Sequence, residues 1–198
     1  MMRLLLLFVC AGFTAASSAQ LDTIRMVSLG GAGDEGAASV SSLGADALIA
    51  GFTTSNADGV QAPWLVRMDS MLQVLWHRVL PIQGTAVGSA LDEDGALVVA
   101  SRELLPAAAG YGVHWHRLDP TSGEVLSDAA FAASDWVIPQ KMGQAGDTLL
   151  TYVTDYRSGT AQPMVIGTRW VGNDFEVLFE HSFGTPGLTE HLVDGVAV

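Results

Sequence analysis

The stretch Asp46-Ala47-Leu48-Ile49-Ala50-Gly51 decides the reading of this chain, because it returns twice. It recurs as Ala96-Leu97-Val98-Val99-Ala100-Ser101 and as Asp147-Thr148-Leu149-Leu150-Thr151-Tyr152, with Ala50, Ala100 and Thr151 spaced by 50 and 51 residues. A second anchor follows in each unit: Trp64-Leu65-Val66-Arg67, His114-Trp115-His116-Arg117 and Ile166-Gly167-Thr168-Arg169. A third is Val74-Leu75-Trp76, Val125-Leu126-Ser127 and Val177-Leu178-Phe179, spaced by 51 and 52. The unit ends Leu29, Leu80, Phe131 and Phe183 keep the same beat, at 51, 51 and 52. Self-similarity at a fixed period of this size is the signature of a repeat architecture.

Inside each unit the pattern is that of strands. Short runs of Val, Leu, Ile, Thr and aromatic residues are separated by turn chemistry such as Asp94-Gly95, Ser122-Gly123 and Gly172-Asn173-Asp174. No window carries a helical stripe of useful length, and Ala107-Ala108-Ala109, between Pro106 and Gly110, reads as a loop. In the second unit the strands are expected over 84–91, 95–102, 111–118 and 124–131. Four strands per unit of about 50 residues describe a β-propeller blade, a small twisted sheet that completes its core by stacking on its neighbours. The expected fold is therefore all-β: a partial β-propeller of three four-stranded antiparallel blades, over about 30–80, 81–131 and 132–183. A fourth blade begins at 184–198, and residues 21–29 match the end of a unit, so an edge strand is expected at each end. Three blades and a fraction do not close a ring, so the sequence reads as an incomplete propeller whose open blade faces leave room for self-association.

The quoted runs resemble the repeats of a known group. Leu29-Gly30-Gly31-Ala32-Gly33-Asp34, then Ala50-Gly51-Phe52-Thr53-Thr54-Ser55 and Trp64-Leu65-Val66-Arg67-Met68-Asp69, resemble secreted bacterial β-propeller repeat proteins. Leu118-Asp119-Pro120-Thr121-Ser122-Gly123-Glu124-Val125-Leu126 is similar to the blade of quinoprotein-like propellers. The resemblance runs from Leu21 to about Gly184 and implies an aromatic that docks one blade on the next at Trp76 and Phe179, with Ser127 in its place in the middle unit. It also implies a secreted or surface protein.

The start of the chain agrees with that destination. Met1-Met2-Arg3 precedes the apolar run Leu4–Phe13, and Ser17-Ser18-Ala19 supplies small residues for a cut before Gln20. Residues 1–19 are expected to be a signal peptide and 20–198 the incomplete propeller domain, with a secreted or cell-surface location. No later apolar run approaches the length of a membrane-spanning helix. Nine basic against 21 acidic residues, net −12, argue against a phosphate-backbone binder, so nucleic acid is not expected as a partner. The only cysteine, Cys10, lies in the leader and excludes a disulfide scaffold.

Candidate site residues are few. His114 and His116, two apart on one strand, share a face and are the pair that could hold a metal. Their counterparts Trp64 and Val66, and Ile166 and Thr168, are mostly packing residues, which favours partly buried, hydrogen-bonded histidines. The acidic turns Gly33-Asp34-Glu35-Gly36 and Asp92-Glu93-Asp94-Gly95 lack the spacing of calcium loops and read as hairpin turns. Asp69 and Asp119 are placed to accept hydrogen bonds from turn amides. Arg67, Arg117 and Arg169 recur in phase and suggest a repeated structural contact. Trp64, Trp76, Trp115, Trp136 and Trp170 are apolar anchors whose use in stacking on a sugar depends on exposure. No catalytic motif, cofactor motif or aspartate box is present, so no catalytic or cofactor-binding residue and no cofactor are assigned. The functional expectation is an exported, non-enzymatic binding or scaffold module whose partner is a protein or a glycan. The alternative is a fragment of a propeller enzyme, a quinoprotein-like dehydrogenase or a glycan-active enzyme.

Overall fold

The computed structural model describes residues 27–105, 110–131 and 136–185. Twelve strands form three four-stranded antiparallel sheets, and no helix occurs among the described residues. The first sheet is the meander β1 (Glu35–Leu43), β2 (Asp46–Thr53), β3 (Ala62–Met68) and β4 (Val74–Val79). The second is β5 (Gly84–Leu91), β6 (Leu97–Leu105), β7 (Gly110–Leu118) and β8 (Val125–Phe131). The third is β9 (Val137–Ala145), β10 (Thr148–Asp155), β11 (Gln162–Val171) and β12 (Asp174–Ser182). This is the expected partial, propeller-like all-β fold. The edge strands expected at the two ends, like the signal peptide and the loop at 107–109, fall largely outside the described residues. Of the first edge strand, Val27–Leu29 are described and are not strand.

The sheets stack through their first strands. β5 packs against β1, β2 and β3, and β9 packs against β5, β6 and β7. The fourth strands β4, β8 and β12 form the outer edge, where most side chains are exposed or half-buried. One seam, between the first and second sheets, holds Leu48, Ala50, Leu65, Leu80, Ala86, Leu97, Val99 and Leu118. The other seam, between the second and third, is centred on Val98, Ala100, Val113, Trp115, Leu149, Val153, Ile166 and Trp170. Adjacent residues of β6 thus serve opposite seams, Leu97 and Val99 one, Val98 and Ala100 the other, as the two-residue alternation of a strand requires.

A bulge falls at the same place in each sheet. Between the third and fourth strands the register shifts at Arg67/Met68, Arg117/Leu118 and Gly167/Thr168, leaving Leu75, Leu126 and Leu178 without an opposite residue. An extra residue in one strand bends and twists it locally, and here the repeated leucine of the third sequence anchor is that extra residue. The bulges also fix which residues are equivalent. Leu48 pairs with Arg67, Val98 with Arg117 and Leu150 with Gly167.

This corrects the alignment of the third unit in two places. Leu149, matched in the sequence to Leu48 and Val98, is equivalent to Leu97 and faces back toward the second sheet, whereas Leu48 and Val98 face forward. Arg169 stands two residues beyond Gly167, the position equivalent to Arg117, although on the same side of its strand. The cause lies in the turns. Gly44-Ala45 and Gly146-Asp147 both form two-residue hairpin loops whose glycines have φ of 67° and 63°, so Asp46 corresponds to Thr148. The similarity of Asp46 to Asp147 misplaces the strand by one residue, and one residue inverts its faces.

Candidate functional site

The meander gives the sheets two unlike ends. At one end lie short turns: 44–45, 69–73, 92–96, 119–124, 146–147 and 172–173. At the other lie the inter-sheet connections and the longer loops 54–61, 80–83 and 156–161.

The turn end consumes its acidic groups in structure. Asp92 accepts from the amides of Asp94 (3.0 Å) and Ala96 (2.8 Å) and from Arg117 Nε (2.6 Å), while Arg117 Nη2 donates to Asp94 (2.9 Å). Two carboxylates of the Asp92–Gly95 turn are therefore held by one arginine. Asp119 accepts from the amides of Thr121 (2.6 Å) and Ser122 (3.0 Å), bonds that hold its carboxyl below the usual aspartate range. Asp69 likewise accepts from Met71 and Gln73, both at 2.8 Å. Both are the turn-fixing aspartates expected from their positions. The arginines serve three separate contacts. Arg67 binds Asp46 and the carbonyl of Pro120 on the next sheet, Arg117 stays within its own sheet, and Arg169 binds Glu176 (2.8 Å) with Asp147 at 3.6 Å. The blade-docking aromatic is seen at Trp76, whose Nε1 donates to Pro120 O (3.0 Å) while Arg78 donates to Gly123 O (2.9 Å).

Gly33–Gly36 is not the expected hairpin turn: Glu35 and Gly36 open β1, and the segment acts as a latch on the end of β2. Gly33 N donates to Ser55 Oγ (2.7 Å) and Asp34 N to Thr54 Oγ1 (2.7 Å), while Glu35 accepts from Ser55 and Thr53. The Ser55 bond is the main cause that holds the Glu35 carboxyl below its ordinary value.

His114 and His116 stack face to face, with ring centroids 4.3 Å apart and planes 5° from parallel. His114 Nδ1 lies 3.1 Å from Glu103 and Nε2 3.0 Å from Asp128. A neutral ring has one N–H and donates to one of these carboxylates; the doubly protonated ring donates to both. His116 is only 2% exposed, and neither of its nitrogens has a partner. Burial, reinforced by His114, pushes its pKa down to about 3. The rings lie parallel and do not converge on a common point, and both nitrogens of His114 are taken. Among the described residues no three His, Cys, Asp or Glu side chains are arranged to hold a metal. Register makes Trp64 and Met164 the counterparts of His114, and Val66 and Ile166 those of His116, so the pair occupies packing positions.

At the loop end Arg157 pairs with Asp155 (3.0 Å) and Glu180 (2.8 Å), and clefts open beside the loops. A cleft of about 500 Å³ lies at the first sheet between the 54–61 loop and the 80–83 connection, lined by residues that include Asn56, Asp58, Gln61, Pro81, Ile82 and Gln83. Beside it a smaller hollow of about 110 Å³ is walled by Gln61, Gln83, Arg102, Leu104 and Tyr111. A third, of about 290 Å³, lies at the first sheet between Gly30, Glu35, Trp64, Val66 and His77. Gln61 is oriented by its bond to Thr85 Oγ1 (2.6 Å), and the Arg102 guanidinium lies 5.3 Å from the centre of the Tyr111 ring. Of the five tryptophans, Trp115 and Trp170 are core, Trp64 and Trp76 are half-buried, and Trp136 is exposed. Gln61, Gln83, Arg102 and Tyr111 went unrecognised in the sequence because they belong to no repeat anchor and come from four different chain segments.

No family model matches the chain, and no curated protein matches it. Among solved structures it is similar to a protein of unknown function from Bacteroides caccae, at 10% sequence identity and a TM-score of 0.42. That likeness covers 75% of this chain and 61% of the other, so the chain spans about three-fifths of the length of the protein it resembles.

Proposed function

We propose that the chain is an exported binding module that takes its partner at the loop end of the sheets. The observation that carries this reading is where the clefts with polar linings lie. Both ends pair carboxylates with arginines and backbone amides, Asp92 with Arg117 at the turn end and Asp155 and Glu180 with Arg157 at the loop end. At the loop end, clefts lined by side-chain amides, apolar residues and Arg102 open beside rigid strand termini. Recognition residues on connections held by a sheet scaffold are a common arrangement for binding, because the scaffold supplies the orientation and the loops the chemistry. Export is part of the proposal and rests on residues 1–19.

Two measurements test it. Amino-terminal sequencing of exported protein should begin at Gln20, and an intact Met1 on that material removes the export half. The mature chain, applied to arrays of oligosaccharides and of peptides, should bind at least one class. The double substitution Gln61→Ala with Gln83→Ala should abolish that signal without shifting the urea midpoint by more than experimental error. Binding that survives this change places the site elsewhere and overturns the reading.

A further inference from the structure

Trp136 immediately precedes β9 and keeps 44% of its surface exposed, the most exposed of the five tryptophans. It is nevertheless held firmly. Tyr111 stands against it at 5.5 Å between ring centroids with planes at 86°, and Tyr156 at 6.5 Å and 70°. Its backbone carbonyl accepts from Tyr156 N at 2.8 Å. Its pyrrole edge lies over Gly110, where an added Cβ would approach the indole to 3.0 Å, so the ring position depends on a residue without a side chain. An exposed indole fixed by two edge-on tyrosines is a flat apolar platform that loses little freedom when something stacks on it.

The platform continues into hydrogen-bonding groups. Tyr111 also walls the hollow that holds Arg102, Gln83 and Gln61, and the Arg102 guanidinium lies over its ring. Arg102 makes no ion pair among the described residues. The surroundings thus combine an aromatic plane, two carboxamides that both donate and accept, and a planar donor fork. A pyranose has the matching duality: one face of axial C–H groups that stacks on an aromatic ring, and a rim of hydroxyls that exchange hydrogen bonds with amides and guanidinium. A chain of phosphates is a poor match, given one cation and a net charge of −12.

We propose that Trp136, flanked by Tyr111 and Tyr156, is the stacking subsite for an oligosaccharide whose next units reach Gln83 and Arg102 in the adjoining hollow. This names the ligand class for the binding module and rests on that reading. The experiment is titration of the intact chain with cellohexaose, xylohexaose, chitohexaose and hexagalacturonate, followed by tryptophan fluorescence and calorimetry. At least one hexamer should bind with a change in indole emission. Trp136→Ala should weaken it about tenfold or more, and Trp136→Phe should retain most of it. Arg102→Met should weaken the uronate most, and in a salt-dependent way, if the carboxylate is the feature read. Gln83→Ala, remote from the indole, keeps the test usable should Trp136→Ala disturb folding. Failure of all four hexamers to bind at millimolar concentration, or binding indifferent to both Trp136→Ala and Gln83→Ala, overturns the proposal. If peptides bind in a Gln61- and Gln83-dependent manner while no hexamer does, the binding module stands and its glycan assignment falls. If neither class binds, both fall.

Discussion

The two seams of this molecule solve one packing problem with different chemistry. Between the second and third sheets the contact is large and aromatic. Trp115 is fully buried, donates from Nε1 to Thr151 at 2.8 Å, and lies 5.0 Å from Phe175, itself 5.1 Å from Trp170. Between the first and second sheets the apolar cluster is smaller and wholly aliphatic among its buried members, and the strand face that meets it also carries Ser101 and His116, whose polar atoms find no partner. That seam makes up part of the difference at its rim, where Arg67, Trp76 and Arg78 grip the carbonyls of Pro120 and Gly123. The difference teaches that a repeat fixes where blades meet, while individual substitutions decide how strongly. The aromatic seam gains area and the Trp115–Thr151 hydrogen bond while leaving the buried Trp170 Nε1 without a partner; the aliphatic seam, which buries both nitrogens of an imidazole unpartnered, bears the larger desolvation cost.

The widest test of this contrast is Trp115→Ala. It should cost about 3–5 kcal/mol in denaturant titration, since it leaves a large cavity and strands the Thr151 hydroxyl. Leu65→Ala, at the equivalent position of the first sheet, should fall nearer the lower part of the ~2–5 kcal/mol range for buried leucine. Equal costs would mean the two seams are energetically alike after all.

Leu48→Ala and Leu149→Ala should each cost about 2–5 kcal/mol, and double-mutant cycles assign them to seams. Leu48 should couple with Leu97, and Leu149 with Val98, by about 0.5–3 kcal/mol, whereas Leu48 and Leu149 should add within about 0.5 kcal/mol. Strong coupling between Leu48 and Leu149 would break the assignment of strand faces.

A smaller effect should appear with acid, and only at the first seam. The folded pKa of His116, about 3, lies below its unfolded value near 6.5, so the unfolded chain takes up a proton first as pH falls. Stability contributed by the neutral ring is present above about pH 6.5 and declines toward pH 3, by on the order of 2 kcal/mol between pH 7 and pH 5. His116→Val, which installs the residue found at the equivalent Val66, should remove the decline between pH 7 and pH 5 while leaving stability at pH 7 equal or higher. A His116→Val chain that keeps the full slope would sink the account. The least effect is expected at the turns: Asp119→Ala should leave the unfolding midpoint nearly in place and show itself as faster amide exchange at Thr121 and Ser122.

Much of this architecture is written in the chain. The period of about 50 residues and the four strands per unit follow from hydrophobic alternation and turn residues, which act over a few positions and need no knowledge of the rest of the fold. The turn roles of Asp69 and Asp119 were legible for the same reason. Tertiary structure alone decided the rest. Whether Leu149 or Leu150 faces forward depends on a single residue in the Gly146-Asp147 turn, and side chains alternate so strictly that this residue exchanges one seam for the other. The parallel stacking of His114 on His116, and the carboxylates that occupy both nitrogens of His114, required β6, β7 and β8 to be brought side by side. The loop-end clefts and the exposure of Trp136 join residues from segments far apart in sequence, and burial is a property of what surrounds a side chain, so no local pattern could encode it.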